Sequence, residues 1–236
     1  MPPEDPAATH KIPPIDAAAP KAFATATFAY NCFWSSDSQF GSIDGVIRTR
    51  VGYTGGVAPN PTSADIKDHT ECVQMDFDPS VVSYEKLLSV FWAGHDPTQK
   101  KALHYKAAVY YSNEQQRLLA ESSAQEIAQK LGQPIFTEVL PLGAFYRAES
   151  AEQKHFLRHR AQLWSEIEAL YGQDERGLED STLAARLNAY SAGCGDLSVL
   201  NRELDSYNLS AAGRQYLERI APYLQVEEPG VCQLPQ

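Results

Sequence analysis

The sequence predicts an α+β fold: a mixed, mostly antiparallel sheet packed with helices in a two-layer sandwich, with a helical C-terminal tail wrapping the domain. Short β-prone segments alternate apolar and polar residues, and segments with helical spacing of apolar residues lie between them without strict β-α-β order. Beyond Gly177 helical segments occur with no strand among them. The chain has 236 residues, 43% of them apolar, which is enough for one sizeable core.

The first three strands follow from partial alternation of apolar residues and from turn signals. Residues 23–30 and 46–53 are short and rich in β-prone side chains, which predicts strands buried on at least one face. A third strand ends at an Asp-Pro pair, where a turn is expected. Its apolar residues lie on a single face because successive side chains alternate: Val73, Met75 and Phe77.

Helix start signals divide the middle of the chain. Ser83 is expected to cap a helix that ends before Pro97. Two Ser-x-x-Gln sequences, at 112–115 and 150–153, have the spacing of a capping box and predict helices over 113–131 and 151–171. The remaining predicted elements are strands at 105–111 and 135–140 and helices near 181–190, 198–206 and 210–224.

Composition divides the chain into three parts and excludes several classes of protein. Residues 1–22 contain six prolines and no signal-like basic or apolar region, so we expect a disordered arm on a soluble, cytoplasmic protein. The catalytic domain is expected at 23–175, and a helical extension at 176–236. A net charge of −10 disfavours nucleic acid as a partner, and no apolar segment reaches the ~20 residues of a membrane span.

Four cysteines are present, and one of them has the surroundings of a nucleophile. They form no C-x-x-C pair, so no zinc site is predicted. Cys32 lies between a predicted strand and a segment that can open a helix, where the helix dipole and nearby amides are expected to lower the pKa of its thiol. From the residues alone, Cys32 is either a reactive thiol or a small buried side chain beside two aromatic residues.

Ordered motifs around this cysteine give the sequence a family resemblance. CFW stands at 32–34, and it is followed by VGYTGG at 51–56, NPT at 60–62, DHTE at 68–71, DPS at 78–80 and FWAGHDPTQ at 91–99. In this order the motifs resemble those of the peptide methionine sulfoxide reductase A family. The resemblance covers about residues 23–171.

The resemblance implies a reaction and a set of site residues. Cys32 matches the nucleophile, which attacks the sulfoxide sulfur and becomes a sulfenic acid while methionine leaves. Glu71 matches the proton donor, whose pKa must then be raised by an apolar pocket. Tyr105 matches a hydroxyl that holds the sulfoxide oxygen, and Phe33 and Trp34 match the aromatic residues that receive the substrate's methyl group. No metal or organic cofactor is implied. His69 and His95 are expected to be structural.

Turnover in the family requires a second thiol and a dithiol donor such as thioredoxin. Cys194, flanked by glycines, and Cys232, near the C-terminus, are the candidate resolving cysteines. Cys72 follows Glu71 directly in a strand, so it is expected to point to the opposite face and to be structural.

The sequence also departs from the family pattern. Asn31 and Ser35 replace glycines beside the cysteine motif, Ser63 replaces a tyrosine, and Glu152 stands where many members have a histidine. The loop at 100–104 is shortened and lacks an aspartate. Two of the usual groups on the oxygen side are therefore missing, which favours a low-activity enzyme.

Three functions remain at this point. The first is reduction of methionine S-sulfoxide, protein-bound and free, where the S epimer is implied by the resemblance. The second is a low-turnover sulfoxide-binding or redox-sensing protein that keeps the pocket. The third and weakest is an unrelated cysteine hydrolase, for which no histidine with an Asn or Asp partner is evident.

Overall fold

The computed structural model describes residues 12–223 and contains a six-stranded sheet with helices on one face and at one end. The strands are β1 (Ala24–Ala29), β2 (Val46–Thr54), β3 (Thr70–Phe77), β4 (Ala108–Tyr111), β5 (Glu138–Pro141) and β6 (Tyr146–Arg147). The helices are α1 (Pro14–Ala17), α2 (Phe33–Gly41), α3 (Tyr84–Ala93), α4 (Glu114–Leu131), α5 (His155–Arg158), α6 (Ala161–Tyr171), α7 (Glu175–Glu179), α8 (Thr182–Ser191), α9 (Leu197–Glu203) and α10 (Ala211–Ile220).

The strand order is β5-β4-β1-β3-β2-β6. Only the pair β4–β5 is parallel among these neighbours, and the other four pairs are antiparallel. The prediction of an α+β fold with a mixed, mostly antiparallel sheet is therefore confirmed. The pairing of β2 with β3 sets Tyr53 opposite Glu71, which places both residues at the end of the sheet nearest the start of α2.

The main core lies between the sheet and three helices. Phe28 of β1, Met75 of β3, Phe91 of α3 and Ala120 of α4 are all fully buried in one cluster, together with Phe40 of α2. The opposite face of the sheet carries a smaller cluster that the chain between β5 and β6 covers. The helix α2, which follows β1 directly, is thus fixed against the sheet through its apolar side chains.

A second core lies among the C-terminal helices, one of which, α8, packs against α2. Its buried residues come from both α6 and α8, so this core spans the predicted domain boundary at 175–176. Helix α8 crosses α2 so closely that a Cβ on Gly41 would lie 2.6 Å from the carbonyl oxygen of Ala185. The buried Arg186 donates to the carbonyl oxygen of Gly41 at 2.6 Å. The tail therefore holds the C-terminal end of α2.

Part of the segment predicted to be a disordered arm is ordered, which corrects that prediction from residue 12 onward. Asp16 of α1 accepts hydrogen bonds from the backbone amides of Thr182 (2.7 Å) and Leu183 (3.2 Å) at the start of α8. It also contacts the hydroxyl groups of Tyr171 and Ser181. A carboxylate at these unpaired amides stabilises the helix start, so α1 is held by the tail. Residues 1–11 lie outside the described part of the chain.

Several predicted element boundaries are wrong, among them the start of β5, which is Glu138 and not residue 135. The cap of α4 is Asn113, whose side chain accepts from the amide of Gln116 at 2.9 Å, rather than Ser112. The fourth strand begins at Ala108, because residues 103–105 form a 3-10 turn. Residues 150–154 form a turn instead of a helix start, and helix 151–171 is divided into α5 and α6. In contrast, Ser83 caps α3 as predicted.

No helix within residues 12–223 is long and apolar enough to cross a membrane.

Candidate active site

Cys32 occupies the turn between β1 and α2, where it is the residue immediately before the helix. The preceding residue, Asn31, has a φ of 54°, in the left-handed region. Its side chain donates to the carbonyl oxygen of Gly94 at 3.0 Å and contacts Lys101. The family's glycine at this position is thus explained by backbone geometry, and asparagine is among the few other residues that adopt this conformation readily.

The pKa of the Cys32 thiol is raised, so the prediction of a lowered pKa is wrong. Burial is the largest cause, and the negative charges of Glu71 and Glu152 add to it. The backbone amides of Trp34 and Ser35 act in the predicted direction, because they donate toward the sulfur, but they do not outweigh burial. The thiol of the free protein therefore keeps its proton to a higher pH than an ordinary cysteine.

Glu71 lies on β3 and is 8% exposed. Its Oε2 accepts a hydrogen bond of 3.0 Å from the backbone amide of Phe33, the first residue of α2. The pKa of this carboxyl is raised, and burial is the largest cause. The charge of Glu152 raises the pKa further, whereas the hydrogen bond from Phe33 and the charge of His104 lower it without cancelling the rise. The predicted rise of this pKa is confirmed. The carboxyl binds the backbone amide of the residue that directly follows Cys32.

Tyr105 ends the 3-10 turn Leu103–Tyr105 and is not part of a strand, contrary to the prediction. The hydroxyl of Thr70, on β3 beside Glu71, donates to the carbonyl oxygen of Leu103 at 2.7 Å and fixes this turn against the sheet. Tyr105 is 44% exposed. The pKa of its phenol is raised. The charge of Glu71 is the largest cause, followed by burial and then by the charge of Cys32. Its hydroxyl is therefore a neutral donor near both groups.

The two aromatic residues after Cys32 have different surroundings. Phe33 is buried and packs against Tyr53, with ring centroids 5.8 Å apart. Trp34 is only partly buried, and its Nε1 donates to Oε2 of Glu152 at 3.0 Å. Its indole stacks on the imidazole of His155, with centroids 3.7 Å apart and an interplanar angle of 8°. Phe33 is largely a core residue, whereas Trp34 forms an accessible wall.

The sequence motifs do not indicate the contribution of residues 149–155, which are the turn at 150–154 and the residue on either side of it, and are called the turn below; the replacement of a histidine by Glu152 is the one sign of it. Glu149 accepts from the hydroxyl of Tyr53 at 3.1 Å and from the amide of Ser63 at 3.0 Å. The Ser63 hydroxyl also donates to Glu149, at 3.2 Å. Burial tends to raise the pKa of Glu149, but these hydrogen bonds lower it on balance. The side chain that replaces the family's tyrosine is thus bound to this turn.

Neither of the other two cysteines within residues 12–223 is bonded to Cys32. Cys72 is buried on the opposite face of the sheet, as predicted, and its thiol donates to the carbonyl oxygen of Gly52 at 3.3 Å. Cys194 is buried and disulfide-bonded, and its sulfur lies 3.8 Å from the hydroxyl oxygen of Ser38 on α2. Cys232 lies outside the described residues.

Two histidines inside the motifs are held by structural hydrogen bonds. His69 bonds the backbone of Gly56 and Ala58, at 3.2 and 2.7 Å. His95 bonds the carbonyl oxygen of Phe91 and the hydroxyl of Thr137, both at 2.9 Å, and burial lowers the pKa of His95 to about 4. Within residues 12–223, no group of three or more His, Cys, Asp or Glu side chains is arranged to hold a metal ion.

The site combines a partly buried thiol at a helix start (Cys32), a buried carboxyl (Glu71) and an exposed phenol (Tyr105). These are the groups of a thiol-dependent oxidoreductase. The model of the family "Peptide methionine sulfoxide reductase" matches residues 24–178. The chain belongs to the peptide methionine sulfoxide reductase family.

Individual relatives agree with this assignment. The chain is 39% identical over 193 residues to "Peptide methionine sulfoxide reductase A5" of Oryza sativa subsp. japonica, covering 79% of this chain and 75% of the relative. It is 35% identical over 196 residues to the peptide methionine sulfoxide reductase of Drosophila melanogaster, covering 82% and 78%. Among solved structures, methionine sulfoxide reductase A of Corynebacterium diphtheriae aligns with a TM-score of 0.53 and 30% identity, over 61% of this chain and 78% of that one.

Proposed function

We propose that the protein reduces methionine S-sulfoxide, protein-bound and free, to methionine through Cys32. The observation that carries this proposal is the placement of Cys32 directly before α2, with the buried carboxyl of Glu71 bonded to the first amide of that helix at 3.0 Å. A nucleophile and an acid thus lie at one helix end. Membership in the reductase family supplies the reaction that these two groups serve.

The chemical step transfers oxygen and two electrons. The Cys32 thiolate attacks the sulfoxide sulfur, and Glu71 gives a proton to the sulfoxide oxygen, which removes the cost of expelling an unprotonated oxygen. Methionine leaves with its sulfur reduced by two electrons. Cys32 is oxidised by two electrons: the S–O bond of the sulfoxide breaks, and the protonated oxygen passes to the Cys32 sulfur, which becomes a sulfenic acid. Tyr105 donates a hydrogen bond to the same oxygen.

The charges of Cys32 and Glu71 are coupled. The ionised carboxylate raises the pKa of the thiol, so protonation of Glu71 removes one of the causes that keep Cys32 neutral. The reactive state needs a thiolate beside a protonated acid. Burial raises the pKa of Glu71 and keeps that acid protonated to a higher pH than a solvated glutamate. Burial of the site thus favours the protonated form of Glu71, which is the form that can donate a proton.

Resolution of the sulfenic acid requires a second thiol, for which Cys194 is our first candidate and Cys232 our second. Because Cys194 is disulfide-bonded in this structure, it can serve only after that disulfide has been reduced. The Cys194 sulfur lies near Ser38, six residues beyond Cys32, which corresponds to about 9 Å along the helix axis. The segment around Cys194 must therefore move to reach Cys32. Gly193, with a φ of 80°, gives the backbone there a freedom that other residues lack.

We further propose that thioredoxin, or a similar dithiol protein in the cytoplasm, reduces the resulting disulfide. The reasons are the family resemblance and the reducing potential that thiol chemistry of this kind needs. A low-turnover binding or sensing role is not favoured, because the nucleophile and the acid are both present in the site and the relatives are named as reductases.

The nucleophile is tested with a matched pair of cysteine variants. Wild-type protein with an excess of N-acetyl-methionine S-sulfoxide and no reductant should form stoichiometric methionine product, and the R epimer should not react. Cys32→Ser should abolish this product, whereas Cys72→Ser, altered at a thiol on the other face of the sheet, should keep most of it. Substantial product from Cys32→Ser would overturn the proposal.

The order of thiols is tested by peptide mapping on protein that is first fully reduced, then freed of reductant and given one equivalent of substrate. We expect Cys32 linked to Cys194 in a Cys232→Ser variant, and Cys194 linked to Cys232 in the wild type. A direct Cys32–Cys232 link, with Cys194→Ser still cycling on thioredoxin, would make Cys194 structural. If neither thiol pairs with Cys32, an external thiol resolves the sulfenic acid, and glutathione should support turnover better than thioredoxin.

A further inference from the structure

The side chains that hold Trp34 come from a turn to which the reaction above assigns no role. Glu152 accepts the indole N–H at 3.0 Å, and the ring of His155 lies parallel to the indole at a centroid distance of 3.7 Å. Trp34 is partly exposed, so without these partners its side chain would be free to change rotamer. One contact fixes the ring edge, and the other covers one ring face.

This turn is itself anchored by two fully buried polar side chains. Gln153 accepts from the amide of Val51 at 3.0 Å and donates to the carbonyl oxygen of the same residue at 2.8 Å, so it extends the pairing of β2. Lys154 donates to the carbonyl oxygen of Thr49 at 2.6 Å and to Asp37 of α2 at 3.0 Å. The turn is thus tied to the sheet and to the helix that carries Cys32, which makes it a rigid support.

We propose that Glu152 and His155 are positioning residues that set the plane of Trp34, so that only its uncovered face is presented to the methyl group of the substrate. This inference rests on the proposed function, in which Trp34 receives that methyl group. Neither residue takes part in proton transfer. Their effect is on the affinity for the sulfoxide and on its alignment with Cys32, since an ordered aromatic wall loses less conformational freedom when substrate binds.

The acceptor role of Glu152 is tested with two substitutions. Glu152→Gln keeps an oxygen that can accept the indole N–H, whereas Glu152→Ala removes it. Binding of N-acetyl-methionine S-sulfoxide is measured by calorimetry in a Cys32→Ser background, where no turnover occurs. We expect the Kd to rise about threefold to tenfold in the Ala variant, the range of one lost hydrogen bond, and to stay within about twofold in the Gln variant.

The stacking role of His155 is tested in parallel. His155→Phe keeps a flat ring over the indole, and His155→Ala exposes that face to water. The emission of Trp34, taken as the difference between spectra of proteins with Trp34 and with Trp34→Phe, should shift to longer wavelength in the His155→Ala and Glu152→Ala variants. The conservative variants His155→Phe and Glu152→Gln should restore it.

These readouts separate the inference from the proposed function. If the wild type forms methionine but Glu152→Ala binds the sulfoxide with unchanged Kd, the positioning role is wrong and the reductase assignment stands. If Glu152→Gln loses as much affinity as Glu152→Ala, the charge of Glu152 is what matters and the positioning role is again wrong. If the wild type forms no methionine, the proposed function itself fails. Where the Ala variants do not fold, Glu152→Leu, which removes the acceptor but fills its space, is measured in place of Glu152→Ala, with the same expected rise in Kd and the same contradiction if the Kd is unchanged.

Discussion

Two groups of side chains beside Cys32, which we call its two walls, are built differently. The wall formed by Trp34 is held by several groups at once, since Glu152 and His155 contact the indole and the turn that carries them is anchored to β2. The wall that we propose to face the sulfoxide oxygen, called the oxygen wall below, consists of Glu71, which is buried, and Tyr105, which is 44% exposed. The Trp34 wall is therefore held by several contacts, whereas the oxygen wall depends on one carboxyl and one hydroxyl group.

This difference predicts where substitutions will be most harmful. Loss of one contact at the Trp34 wall leaves the others in place, so the expected loss is partial. At the oxygen wall the family's tyrosine is replaced by Ser63, which bonds Glu149. Removal of Glu71 or Tyr105 therefore leaves fewer groups to bind the charge that develops on oxygen.

The largest effect is expected for Glu71→Gln. The variant keeps the shape of the side chain but cannot donate a proton, so sulfenic acid formation at neutral pH should slow by about 10²–10⁴-fold, as is usual for loss of a general acid. Stopped-flow measurement of the first turnover gives this rate. A rate equal to that of the wild type would assign proton donation to another group, and the oxygen wall would then not depend on Glu71.

The pH profile sharpens this test. The reaction needs protonated Glu71 and ionised Cys32 together, and burial raises the pKa of both groups. The rate should therefore rise with pH at first, level off as Glu71 loses its proton, and fall once Cys32 is largely ionised. Glu71→Gln should lose this decline and lose less activity at acidic pH, where solvent supplies the proton. A wild-type rate that rises with pH until Cys32 is ionised and then stays constant, as expected for the thiolate alone, would contradict the assignment of Glu71 as the acid.

Tyr105→Phe should have the next largest effect. Because its hydroxyl has few neighbours to substitute for it at the oxygen wall, we expect the reductive step to slow by at least about tenfold, or roughly 1.4 kcal/mol of transition-state stabilisation. The same single-turnover assay measures it, with Tyr111→Phe, a partly exposed strand residue, as the matched control. A loss below about twofold would show that another group holds the oxygen.

The elements that the sequence predicts well are those with local causes. The strands β1 and β3 alternate over their own length, and the cap at Ser83 bonds an amide three residues away. The Ser150–Gln153 pair has the same local spacing as a true cap, yet Gln153 is bonded to Val51, about a hundred residues earlier. A local pattern cannot show that a side chain is taken by a distant strand.

The candidate site shows the same division. The motifs identify Cys32, Glu71 and Trp34, and the structure brings all three to the start of α2. The pKa of Cys32 was predicted in the wrong direction because burial depends on packing by several elements, whereas the helix start is visible in the sequence. That residues 14–17 form an ordered helix could not be predicted for a similar reason, since Asp16 binds the start of a helix 166 residues later in the chain.

A smaller effect is expected at the turn that the two walls share. Asn31 has a φ of 54° and bonds the carbonyl oxygen of Gly94. Asn31→Gly loses the side-chain bond but suits the backbone, whereas Asn31→Ala loses the bond and adds the strain of a left-handed alanine. We expect Asn31→Ala to lower the free energy of unfolding by about 1–2 kcal/mol more than Asn31→Gly, measured by denaturant titration. Equal stabilities would mean that the turn relaxes and does not hold Cys32 in place.

The smallest effect is expected for Ser63→Ala. The Ser63 hydroxyl donates to Glu149 at 3.2 Å on an exposed part of the chain, and the backbone amide of the same residue keeps its own bond to that carboxylate at 3.0 Å. Loss of the hydroxyl should therefore change the rate of the reductive step by less than about twofold and leave the Kd for the sulfoxide unchanged, because a lost exposed contact is offset by water. Single-turnover kinetics and calorimetry measure both quantities. A slowing comparable to that of Tyr105→Phe would place the Ser63 hydroxyl on the sulfoxide oxygen in the bound state, and the oxygen wall would then contain three donors, which removes the contrast between the two walls.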